Sequence, residues 1–199
     1  SGSGGDVIVT AGGTSGGSVA GEAGGQVYLS AGTSASQTGG RVFIQSGAST
    51  AQSSGALGVV TVASGTGGVS GYLVLSTGSS LNGNSGAFFV GTGSAASGRG
   101  GSVYVTVGSG DSGTGGDIVL MAGTSSGDAG GQIYLSAGTS NIQTGGRVFI
   151  QSGFSSPTTS GAVGIQSSIS GANGVSGYLV LSSGSSLNGN SGAFFVGTG

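Results

Sequence analysis

Apolar residues arrive in short clusters at a fixed interval, each followed by a stretch of Gly, Ser and Thr. Aligned on the glycines, successive lines read "QVYLSAGTSASQTGG", "RVFIQSGASTAQSSG", "YLVLSTGSSLNGNSG", "AFFVGTGSAASGRGG", "SVYVTVGSGDSGTGG" and "DIVLMAGTSSGDAGG", each 15 residues long. Positions 2 and 4 of the line are apolar, as in Val27/Leu29, Val42/Ile44, Leu73/Leu75, Phe88/Val90, Val103/Val105 and Ile118/Leu120. Position 6 is small or apolar: Ala31, Ser46, Thr77, Thr92, Val107. Alternation at 2, 4 and 6 predicts a strand of about six residues with one buried face. Gly is nearly constant at position 7 and constant at position 15, which predicts left-handed or tight backbone at two corners.

A strand this short cannot bury its own apolar face, but stacked copies can. The expected fold is therefore all-β: a parallel β-solenoid (β-helix) of about thirteen 15-residue coils, in which each strand pairs with its counterpart one coil on. At roughly 4.8 Å per coil such a rod is on the order of 60 Å long. Positions 8 to 14 read as the return path, a second, flatter strand of small side chains. Two lines, Ala56–Gly71 and Ala162–Gly177, have 16 residues, and the first, Asp6–Gly25, has 20, so a turn insertion is expected within 11–25. A larger period lies above the coil: Gln26, Arg41, Tyr72 and Ala87 recur 106 residues later as Gln132, Arg147, Tyr178 and Ala193. This makes 1–199 one continuous array, with a complete seven-coil unit at 26–131 and a partial second unit at 132–199. Neither end resembles a cap, so the sequence reads as a segment of something longer, or as a product that stacks end to end.

Composition supports strands over coil or helix. The 199 residues include 51 Gly, only 4% are charged, and Cys, His, Trp and Lys are absent. Such a balance ordinarily marks disorder, but 35% apolar residues gathered in β-branched and aromatic clusters argue for packing. Gly costs about 1 kcal/mol per residue in a helix interior, and no helix-length window is free of it. No run approaches the roughly 18 apolar residues of a membrane-spanning helix. Five acids and three arginines give a net charge of −2, which leaves no basic face for nucleic acid. Without cysteine there is no disulfide framework.

Few residues could carry chemistry. Position 3 points away from the expected core yet is apolar or aromatic: Ile8, Tyr28, Phe43, Val74, Phe89, Tyr104, Val119, Tyr134, Phe149, Val180 and Phe195, interrupted by Gly58 and Gly164. An outward stripe of this kind predicts lateral association with a second copy; cover by the same chain, or aromatics that merely stiffen the sheet, are the alternatives. Position 1 places Asp6, Gln26 and Arg41 on successive lines, and again Asp117, Gln132 and Arg147. Stacked, these form a polar ladder in which the Gln amide bridges a carboxylate and a guanidinium. Glu22, Asp111 and Asp128 fall in return paths, too few to satisfy calcium's six to eight oxygens. With no His, Cys or Lys, and acids that recur instead of converging, no catalytic, cofactor or metal site is expected. The Ser/Thr-rich return paths offer acceptors for O-linked sugars, notably "SSPTTS" at 155–160.

The lines "GGSVYVTVGSGDSGTGGDIVLMAGTS" and "GVSGYLVLSTGSSLNGNSGAFFVGTG" resemble long Gly/Ser-rich tandem-repeat surface or extracellular proteins of algae and other protists. The resemblance covers the whole chain and implies an extracellular or cell-surface location; it implies no catalytic or binding residue. The resulting expectation is a non-enzymatic structural protein of an extracellular fibre, stacked along its axis and bundled through the position-3 stripe, with itself as main partner and no membrane span. An ice-binding face is the rival from another class, although outward position 5 (Thr10, Ser30, Gln45, Val60, Ser76, Gly91, Thr106, Met121) lacks the regular hydroxyl array it needs. A surface- or glycan-adhesive stalk is the other.

Overall fold

A computed structural model describes residues 4–14 and 23–198. Among them there is neither a helix nor a strand. The β-solenoid expected from the periodicity is therefore overturned, and the fibril and filament derived from coil stacking fall with it.

The backbone hydrogen bonds show the reason. A stacked coil needs its N–H and C=O groups to pair with the next line. Here, where they pair, they close a line upon itself. The N–H of the position-15 glycine donates to the C=O of the position-7 glycine in Gly40→Gly32, Gly55→Gly47, Gly131→Gly123, Gly146→Gly138 and Gly161→Gly153, at 2.8–2.9 Å. Each of these lines is thus an arm (positions 1–6) followed by a closed loop (positions 7–15) whose neck is this bond; Gly86, Gly101, Gly116 and Gly192 make no such bond. The first line obeys the same rule across its insertion, with Gly25 N–H donating to Gly12 C=O at 2.8 Å; the insertion itself, including Glu22, lies largely outside the described residues.

The second half of the expected coil fails for a packing reason. A two-sheeted solenoid needs two facing apolar rows, and each line supplies one. Positions 8 to 14 form a turn in place of a flat second strand. In seven lines the Oγ of the position-9 serine accepts the N–H three residues on: Ser34 from Gln37, Ser49 from Gln52, Ser80 from Gly83, Ser125 from Asp128, Ser140 from Gln143, Ser155 from Thr158 and Ser186 from Gly189, at 2.9–3.2 Å. This is the local side-chain competition that draws Ser out of regular structure. Ala95 and Gly110 stand at this position in the two lines that lack the bond. The 16-residue lines replace the loop by a tight turn, with Gly68 N–H on Gly65 C=O at 3.1 Å around Gly67 (φ 80°), and Gly174 N–H on Gly171 C=O at 3.2 Å.

Without facing rows no core forms. No described residue is buried, and the chain exposes 19,665 Å². A compact protein of 18.2 kDa exposes about 8,000 Å². The described residues fall into two units, Ser1–Gly101 and Ser102–Gly199, whose boundary coincides with the end of a line. No helix among them is long and apolar enough to cross a membrane.

Candidate self-association surface

The arms carry most of the apolar residues. At the neck the closing glycine lies against the small residue that ends the arm. A Cβ built on Gly40 would sit 3.2 Å from the Ala31 Cβ and from the Gly32 nitrogen, and the same geometry recurs at Gly131 against Ala122 and Gly146 against Ala137. Position 6 is consequently where exposure falls most: Ala31, Ser46, Ala122, Ala137 and Ser152 are half-buried. Where Thr92 replaces the small residue, its hydroxyl instead donates to the Gly101 carbonyl at 3.2 Å. At Val107 the Cγ1 stands 2.6 Å from a Cβ built on Gly116, and the neck there makes no backbone bond.

The alternation read from the sequence survives as a gradient in place of a core. In the 15-residue lines from Gln26 onward, position-2 side chains are 50–60% exposed and position-3 side chains 65–90%. In the first unit Ile8, Tyr28, Phe43, Val74 and Phe89 project into solvent; in the second, Tyr104, Val119, Tyr134, Phe149, Val180 and Phe195 do. Positions 2 and 4, expected to form inward columns, are also exposed, because no neighbouring line is laddered against them. Each arm of the 15-residue lines therefore presents three consecutive apolar side chains, such as Val27–Tyr28–Leu29 or Val42–Phe43–Ile44, pointing to both sides. Runs of this kind ordinarily belong to chain that is covered on two faces.

The position-1 residues form no ladder among the described residues. Asp6, Arg41, Asp117, Gln132 and Arg147 stand at the starts of their arms without a bond to one another. The Gln26 amide is engaged within its own arm, its Oε1 accepting from the Tyr28 hydroxyl. Asp128 likewise acts locally, one carboxylate oxygen accepting from Ala129 N–H at 2.8 Å. Among the described residues there is no group of three potential metal ligands and no pocket.

Two structural roles escaped the sequence reading. The turn serine was available as a signal, since Ser recurs two residues after the opening glycine. The neck was not, because Gly-to-Gly closure leaves no side-chain pattern. No known family, curated protein or solved structure matches the chain.

Proposed function

We propose that this chain is a structural protein of an extracellular or cell-surface material, and that copies of it associate through their apolar arms. One observation carries the reading: among the described residues every large apolar side chain is at least 45% exposed. Full burial of a Val, Leu or Phe contributes about 1.5–3 kcal/mol, so one arm with three such residues offers on the order of 5 kcal/mol. Association costs about 4–15 kcal/mol in lost freedom and ordering. A single arm is thus insufficient and several acting together are not, which gives the tandem repetition a purpose.

A second copy fits these arms better than an unlike partner. Both faces of each arm are apolar, and a net charge of −2 spread over 199 residues leaves little repulsion between copies. Phe and Tyr at position 3 suit the centre of such a contact. The loops keep hydroxyls toward water; O-linked sugars on Ser156, Thr159 or Ser160 leave the arms free.

Sedimentation velocity on the wild type and on the combined variant Phe43→Ser, Phe89→Ser, Phe149→Ser and Phe195→Ser tests the proposal. These side chains are all exposed, so the substitutions disturb no core. Wild type is expected to form larger species as concentration rises, and the variant to need at least about tenfold more protein. A wild type that stays monomeric at every concentration, or a variant that assembles equally well, overturns the reading.

A further inference from the structure

We infer that the five tyrosines are sites of oxidative coupling between chains, so that the assembly proposed above is locked by covalent bonds joining tyrosine rings. The inference rests on that self-association reading and adds the chemistry that fixes it.

Elimination and exposure carry it together. The sequence has no Cys for disulfides and no Lys for isopeptide or aldehyde-derived bridges. Nor does it have Trp or His to compete for an oxidant. Tyrosine is what remains for covalent joining. Tyr28, Tyr72, Tyr104, Tyr134 and Tyr178 all lie in arms, at positions 1 or 3, and none lies in a loop. All five are 83–89% exposed. Their ring carbons beside the hydroxyl are therefore open to a second ring on the surface that a copy would cover. Two tyrosines lie in the first unit and three in the second. A chain with this many sites gives a network, whereas a single site gives only dimers.

The step is balanced with hydrogen peroxide as oxidant and a haem peroxidase as catalyst. Each phenol gives up one electron and its hydroxyl proton. The two phenoxyl radicals join through the ring carbons adjacent to oxygen, and those carbons return their hydrogens to the oxygens as the rings regain aromaticity. The two electrons and two protons reduce one peroxide to two waters.

The test mixes full-length chains with natural and nitrogen-15 labelling in equal amounts, adds a peroxidase with hydrogen peroxide, and sequences the cross-linked peptides by mass spectrometry. Expected are ring-to-ring linked peptides of mixed isotope content, with higher-mass chains in a denaturing gel. A variant with all five tyrosines changed to Phe keeps the rings but lacks the phenols, and should form none of these products. Absence of mixed-isotope linked peptides, or equal cross-linking of the five-Phe variant, overturns the inference. Sedimentation before oxidant is added reads the association separately. Assemblies without mixed peptides defeat the coupling alone, whereas mixed peptides from monomers, at a yield that falls on dilution, defeat the association reading alone.

Discussion

Glycine at the end of a line is required by what it approaches at Gly25, Gly40, Gly101, Gly116, Gly131 and Gly146, where a built Cβ meets a neighbour within 3.2 Å. Its φ is ordinary, since Gly67 and Gly113 are the positive-φ glycines among the described residues. The constraint at Gly40 is contact with the backbone of Gly32 and the Cβ of Ala31. Gly47, which opens a loop, has nothing within 4 Å of a built Cβ. A glycine nearly constant in the sequence and one that is constant are thus unequal in the structure. Gly40→Ala should push the neck open and remove the bond to the Gly32 carbonyl, a loss of about 1 kcal/mol. The Gly40-site amide should then exchange with solvent about fivefold faster. Gly47→Ala should leave the Gly55 amide unchanged. Equal effects from the two substitutions, measured by amide exchange, would contradict the assignment.

At the scale of the element, arm and loop divide the work. The apolar cluster at positions 2 to 4 was legible in the sequence, but the strand expected there does not form; the exposure difference between Val27 and Tyr28 is what remains of the expected alternation. The loop was misread as a second strand because Ser, Thr and Gly carry no period of their own. What organises it is a single hydroxyl. Ser140 holds the N–H of Gln143 at 2.9 Å and that of Ile142 at 3.3 Å. Ser140→Ala should therefore speed exchange of the Gln143 amide roughly two- to tenfold, the range set by a net hydrogen bond of about 0.5–1.5 kcal/mol. The natural comparison is built in: the line with Ala95 in place of the serine should show its Gly98 amide exchanging faster than that of Gln143 in the wild type. If the two amides exchange alike, the serine does not organise the turn.

For the whole molecule, the lesson concerns what a repeat specifies. The recurrence of Gln26–Gly40 as Gln132–Gly146 dictates that the same local unit forms twice; it does not dictate that units touch. Contact requires an apolar row for each row to face, and positions 8 to 14 of these lines supply Thr33, Ser34, Ser36 and Gly39 where a second row was needed. The stripe residues are exposed, but so are positions 2 and 4, so exposure alone does not set the stripe apart. Their inward counterparts were assigned to a core that one chain cannot close, so the surface available to a second copy is larger than the sequence suggested.

Hydrogen exchange followed by mass spectrometry, on dilute monomer and on concentrated assembled protein, tests this account most directly. The account predicts that amides of the arm 132–137 exchange at unfolded-chain rates in the monomer and become protected on assembly, while the Gly146 neck amide is protected in both. Arm amides already protected in the monomer would mean that a single chain covers its own apolar rows, and would contradict the account.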